Sequence, residues 1–296
     1  MGTLDYRALA VLDAVVSQGS FEKAALALGI SQSAVSQRIK ALEDTAGRLL
    51  IIRGQPAVPT GLGMRLVSHH RSVRLMEAAL DIDLGHSTSM PEIALAVDSA
   101  SLSTWFPLCL QPLLAPPRCQ LKIHSAAREQ ALQLVQQGGV FGAIIPASHG
   151  ALPASGADVT PLGKLRYVCV ATPAFAAHWF GDGYSIEAAR LAPAIVSDAE
   201  LMAGYLHQTL GLQGSYPHHS MPPSAASAEC LYGSLGYGLM PLLQVSAALA
   251  AERLVELTPG QPVDVALEWH AWNLDTPFTR ALSEQIISTA RRYLLQ

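Results

Sequence analysis

Apolar residues in the first fifty positions recur at helical spacing. Leu9, Leu12 and Val16 share one face of a first helix, which Gly19 ends. Ser20 is placed to cap a second helix, SFEKAALALG, with Phe21, Ala24, Ala25 and Leu28 as its apolar face. Gly29 stops that helix. Ser31 caps a third, SQSAVSQRIKALEDTAG, which ends at Gly47. Two helices joined by so short a glycine-containing turn predict a helix-turn-helix.

The pattern then changes twice. LLIIR reads as a short strand and GQPAVP as a turn or wing. Thr60 caps a long helix, in which Leu62, Leu66, Val73, Met76 and Leu80 keep four-and-three spacing and His69 fills one slot. That spacing predicts a dimerisation seam on a helix roughly 37 Å long. HSTSMP is the expected linker beyond it. From Glu92 onward short apolar runs predict strands: IALAV, LKIH, VFGAII, RYVCVAT, AIV, YGLMP and VALEWHAW. Helical stretches fall between them at 101–115, 128–137, 199–210, 225–235 and 277–294. The alternation predicts an α/β sheet domain, long enough for two lobes. The expected division is 1–59 for a winged helix-turn-helix, 60–87 for a linker helix and 88–296 for the α/β domain.

Charge locates the nucleic-acid partner. The net charge is −4, which argues against binding over the whole surface. Residues 1–60 hold six basic against five acidic side chains, and 88–296 hold ten against fifteen. Any DNA contact is therefore local and N-terminal, and one copy alone should bind weakly. Half of the residues are apolar, so a sizeable core is expected. No apolar run reaches the roughly 20 residues that span a bilayer. The N-terminus reads as a helix of the mature fold rather than a signal peptide. Cys109, Cys119, Cys169 and Cys230 are scattered without metal-ligand spacing, which fits reduced thiols and a cytoplasmic location.

On the third helix Val35, Ile39 and Leu42 form the buried arc. Ser33, Gln37 and Lys40 lie nearly opposite, flanked by Ser36 and Arg38. Gln pairs with adenine through two hydrogen bonds, and Arg prefers guanine or phosphate. The helix start, Ser31, Gln32 and Ser33, offers backbone N–H groups to a phosphate. An ordinary amphipathic surface helix is the alternative, but this outer face lacks the mixed Glu/Lys pairs of one.

The run SFEKAALALGISQSAVSQRIKALEDTAGRLLIIR, followed by PTGLG, resembles the DNA-binding region of LysR-type transcriptional regulators. The family's usual L-F-x-R stands here as Ile51-Ile52-Arg53. LAVDSASLSTW, LGKLRYVCVATPAF, GYGLMP and LTPG resemble the arginine- and lysine-responsive (ArgP- or LysG-like) branch of that family. The resemblance implies a two-lobed, periplasmic-binding-protein-like domain, with lobe I at about 92–163 and 267–296 and lobe II at about 164–266. It implies an amino-acid or related effector between the lobes and assembly as homodimer or homotetramer. The implied partners are a dyad-related double-stranded operator and RNA polymerase, with no membrane. Arg53 would hold phosphate. The competing reading, from an older label of that branch, is an effector-independent architectural or replication-blocking DNA binder. No GxSxG, GxGxxG or P-loop motif points to an enzyme, and no cofactor is implied.

Asp98-Ser99-Ala100-Ser101 follows strand IALAV and opens a helix, where ligands of open α/β sheets bind. Ser99 and Ser101 there are candidates to hold a carboxylate, with helix capping by Ser101 as the alternative. The branch's acids after the second strand are absent, since 124–128 reads HSAAR, and its S-S-E-A acid is Ala225 here. Arginine or lysine is therefore expected to bind more weakly than in relatives, or not at all. Asp98, Glu129 and Asp198 are the remaining acids near strand ends, and Arg128 reads either as an anion contact or as an exposed helix start. The pairs His69-His70 and His218-His219 lack metal-ligand spacing. Trp105, Trp179, Trp269 and Trp272 read as core or lobe-interface packing.

Overall fold

The computed structural model describes residues 4–84, 92–115, 119–148, 157–221, 225–274 and 276–296. The expected linker HSTSMP lies outside the described residues. Three helices open the chain: α1 (Tyr6–Gln18), α2 (Phe21–Leu28) and α3 (Gln32–Ala46). Each starts on a side chain that satisfies free amides. Asp5 accepts from Arg7 and Ala8, Ser20 from Lys23 and Ser31 from Ala34. Gly19, Gly29 and Gly47 close them. Leu9, Leu12, Val35, Ile39 and Leu42 meet in one core with Leu50 and Ile51. The wing pairs β1 (Ile51–Ile52) antiparallel with β2 (Val58–Pro59), shorter than the expected LLIIR strand.

The long helix α4 (Gly61–Leu84) starts where Thr60 Oγ1 accepts from the Gly63 amide at 3.1 Å. Its expected seam is split. Leu62 and Leu66 join the winged-helix core of their own chain, with Leu66 only 8 % exposed. Those two positions are therefore corrected from partner contacts to intrachain packing. The reason is that α1 lies against the first turns of α4 and takes that face. Val73 is half-buried, while Met76 and Leu80 are 46 % and 52 % exposed. Leu75, Ala78 and Ile82, on another face, pack into the following domain.

That domain begins with β3 (Glu92–Val97), α5 (Ser99–Leu102), α6 (Phe106–Leu114), β4 (Gln120–Ser125), α7 (Arg128–Gln136) and β5 (Gly142–Pro146). Next come β6 (Ala157–Ala171), α8 (Pro173–Trp179), α9 (Ile186–Ala189), β7 (Ala194–Val196), α10 (Ala199–Leu210) and β8 (His218–Ser220). The chain ends with α11 (Ala225–Tyr232), β9 (Gly238–Pro241), α12 (Leu242–Ala250), β10 (Val255–Glu256), β11 (Val263–Trp272) and α13 (Pro277–Tyr293). The single helix expected at 101–115 is broken into α5 and α6. Pro107 in the first turn of α6 disfavours a continuous helix through Phe106.

β4, β3 and β5 are parallel neighbours, β11 runs antiparallel to β5, and β6 runs antiparallel to β11. β6 also pairs antiparallel with β9 and β10, which completes a seven-stranded sheet among the described residues. The β6–β11 register shifts between Leu267 and Glu268, opposite Pro161 and Gly163. One lobe packs on Leu95, Trp105, Ile144, Trp269 and α13 residues such as Leu282. The other packs on Phe175, Tyr205 and Tyr237, with a second layer around Val170, Ile195 and Val245. Trp105 and Trp269 are fully buried, and Trp179 and Trp272 pack at cluster edges, as expected of core aromatics.

Candidate DNA-reading face and effector cavity

The outer side of α3 presents Ser31, Gln32, Ser33, Gln37, Arg38 and Lys40 to solvent, with Ser36 half-buried. Val35 and Ile39 anchor the helix from beneath, at 0 % and 1 % exposure. Ser31 is already occupied, because its hydroxyl caps the helix and lies 2.9 Å from Ser33 Oγ. Glu43 Oε1 accepts from the amides of Leu50 and Ile51 at 2.9 and 3.3 Å, so α3 and the wing strand share one support. Arg53 follows that strand and its guanidinium sits 5.5 Å from the centre of the Phe21 ring. Phe21 thus does more than fill the face of α2: it holds a cation at the start of that helix.

The cavity lies beyond the C-terminal ends of β3, β4 and β7, where open α/β sheets bind ligands. Its volume is about 470 Å³, within the range of small-molecule sites. Asp98, Ser99, Arg128 and Asp198 line it. Ser101 does not. It is fully buried and its hydroxyl accepts from Trp105 Nε1 at 3.1 Å. Both expected roles of Ser101 are corrected, since the cap of α5 is Asp98. Asp98 Oδ1 accepts from the Ala100 and Ser101 amides at 3.1 and 2.9 Å. The start of α5 therefore offers a ligand a carboxylate rather than free N–H groups. Ser99 Oγ lies 2.9 Å from Ser125 Oγ and ties the ends of β3 and β4 together.

Asp98 Oδ2 is buried without a hydrogen-bond partner among the described residues. Burial pushes this carboxyl above its ordinary range, against the opposing pull of its bonds to Ser101 and Ala100. Asp198 caps α10 through a 2.9 Å bond from the Leu201 amide and faces the cavity from the other lobe. Tyr167 lines the same cavity. Burial, then the charges of Asp98 and Asp198, hold its hydroxyl protonated. Glu129 and Glu200 add two exposed acids to the rim.

Arg128 is the cationic member. It is not an exposed helix start, because its side chain is only 15 % exposed. Its Nη1 donates to the Pro146 carbonyl and lies 4.0 Å from Glu268 Oε2. Glu268 is also 2.9 Å from His270 Nε2. Tyr167, Glu200 and Gln244 were not among the sequence candidates. Tyr167 sits in the RYVCV strand, where only its apolar neighbours carry a signal. The adjacent histidines form no cluster with other metal-ligating residues among the described residues.

Comparison with known proteins identifies the family. Residues 6–64 match the bacterial regulatory helix-turn-helix protein, lysR family, and 86–291 match the LysR substrate binding domain. The chain is 40 % identical over 294 residues to the HTH-type transcriptional regulator ArgP of Pseudomonas aeruginosa, covering 97 % of this chain and 96 % of that one. It is 35 % identical over 301 residues to ArgP of Vibrio parahaemolyticus, covering all of both. Among solved structures it superposes on ArgP from Mycobacterium tuberculosis with a TM-score of 0.86 at 29 % identity, over 99 % of each chain. Full-length LysG from Corynebacterium glutamicum with bound effector Arg gives a TM-score of 0.79 at 29 % identity, over 99 % of this chain and 100 % of that one. The comparisons support an effector-gated regulator rather than an effector-independent architectural binder, and these relatives are named as regulators, not enzymes. The chain belongs to the LysR family of transcriptional regulators, with an N-terminal helix-turn-helix and a C-terminal effector-binding domain.

Proposed function

We propose that the effector is an amino acid with a cationic side chain, held between the lobes with its positive end toward Asp98 and Asp198. The observation that carries this is Asp98, which lines the cavity with Asp198 and whose buried Oδ2 has no hydrogen-bond partner among the described residues. A bare carboxylate in a half-buried site is costly until a cation pairs with it. Arg128 would take the effector's carboxylate. The acids missing at 124–128 and at Ala225 are thus offset by acids at other positions. The relative LysG, solved with arginine bound, adds support. This replaces the expectation that lysine and arginine bind weakly.

On DNA, Gln37 reads a base edge, Arg53 holds phosphate, and Ser36, Arg38 and Lys40 flank them. Met76, Leu80 and Val73 are proposed as the dimerisation seam, giving a dyad-related operator and a homodimer or homotetramer. RNA polymerase is the proposed partner in transcription and the cytoplasm the proposed location. Four cysteines outside any disulfide among the described residues accord with it.

Calorimetry of the full-length chain with arginine, lysine, leucine and glutamate tests the effector. Arginine or lysine should bind at micromolar affinity, about −8 kcal/mol, and lose at least about tenfold on Asp98→Asn. Preferential glutamate binding overturns the proposal. So does arginine binding that survives both Asp98→Asn and Asp198→Asn.

A further inference from the structure

Helix α7 starts in the cavity and ends against the linker helix. Arg128 and Glu129 in its first turn line the cavity. At its other end the Gln136 carbonyl accepts from Ser68 Oγ of α4 at 2.7 Å. The next turn seats Gly138 directly on α4. Its φ is +64°, and a Cβ there would stand 3.0 Å from both the Arg71 Cβ and the Ser68 carbonyl oxygen. Only a bare backbone in the left-handed region fits that contact. Trp272 Nε1 donates to the Val135 carbonyl at 3.0 Å and steadies the same end.

The turn of α4 that Gly138 touches also carries the link to the winged helix. Arg71 Nε donates to Asp13 Oδ1 of α1 at 2.8 Å, and its Nη2 to Ser17 Oγ at 2.9 Å. These side chains are largely shielded, at 19 % exposure for Arg71 and 22 % for Asp13. Arg71 thus meets the sensor domain with its Cβ and the winged helix with its guanidinium.

We infer that α7 is the strut that carries occupancy of the cavity to the DNA-binding domain, through Gly138 and Arg71. This rests on the reading that the cavity holds the effector. A nine-residue helix is a stiff rod about 13 Å long. An effector carboxylate that draws Arg128 from the Pro146 carbonyl changes how the start of α7 is held. Gly138 has no side chain to absorb a shift at the far end. The Ser68–Ser72 turn of α4 follows, and Arg71 passes the displacement to Asp13 and Ser17 on α1. Since α1 packs against α3, the recognition helix is the last member of the chain.

Hydrogen exchange of the full-length protein, resolved to α1, α4 and α7, tests the strut without needing an operator. Arg128→Ala perturbs the cavity end directly. Exchange in α1 should change by roughly two- to thirtyfold when Arg71 is present, and much less in an Arg71→Met background. The change in α7 itself should appear in both backgrounds. Ser68→Ala, which removes only one hydroxyl, should weaken the same transfer if Arg71→Met loosens the winged helix. An unmoved α1, or an equal change in both backgrounds, overturns the inference. Arginine added in parallel separates the two readings. Calorimetric heat with no change in α1 defeats the strut and leaves the effector standing. No heat, with α1 responding to Arg128→Ala, defeats the effector and leaves the strut.

Discussion

Asp98 has two oxygens with opposite circumstances. One accepts from two backbone amides, and the other is buried without a partner among the described residues. Asparagine keeps the cap and removes the charge. The ligand-free Asp98→Asn protein should therefore melt higher at neutral pH, while it binds a cationic effector less well. The sign follows from the raised carboxyl. A group protonated more readily in the folded than in the unfolded state stabilises below its unfolded value, 3.8, and loses that contribution as pH rises through the folded value. The gap between variant and parent should close as the pH falls through the carboxylate range. A variant that melts lower at pH 7 would show that the ionised form is already satisfied. Asp98 was legible in the sequence because it follows an apolar strand and precedes a helix. Its polarity was not, because a capping carboxylate and a ligand-binding amide nest occupy the same sequence slot. The role of Ser101 is not legible locally either, because only the fold reveals that Trp105 claims its hydroxyl.

Glu43 shows how one side chain joins two elements. It lies on α3, yet its Oε1 serves two amides of the wing segment. Glu43→Ala leaves those donors without their acceptor, at a cost of about 1–3 kcal/mol. Amide exchange at Leu50 and Ile51 should quicken while the sensor domain is unaffected. Unchanged exchange there would mean the contact carries no stability. Elements with clear punctuation were legible from sequence. α10 runs from Ala199 to Leu210, as expected, because Asp198 caps it and Gly211 closes it. β6 was legible only in its second half. Its first half, Ala157–Leu165, carries Pro161, Gly163 and Lys164, which mask a strand that pairs along its length with β11. α8 and α9 were missed as segments of seven and four residues, too short for a helical period to register. α12 was missed because small residues blur its apolar face.

At the scale of the whole molecule, α4 sets what one copy can do alone. Spacing alone treated its apolar positions as one seam, since periodicity cannot distinguish a partner's surface from the chain's own core. The fold assigns Leu62 and Leu66 inward and leaves Met76 and Leu80 bare. Two exposed large apolar side chains about one helical turn apart, with half-buried Val73 nearby, are proposed to meet a second copy. The weak charge of the N-terminal region is the reason such pairing is proposed to serve DNA binding. Six basic against five acidic residues over 1–60 give one winged helix little general affinity for phosphate. Pairing two of them makes the second binding event intramolecular, with an effective concentration in the millimolar range. Met76→Asp with Leu80→Asp should therefore yield monomers by sedimentation with the fold intact, because neither residue belongs to a core cluster. The same variant should lose operator binding by roughly 10²–10⁴-fold at constant salt. Leu66→Asp is not an equivalent test, since it places a charge inside the winged-helix core and should unfold that domain. An assembly unchanged in the double variant would move the dimer contact away from this face of α4.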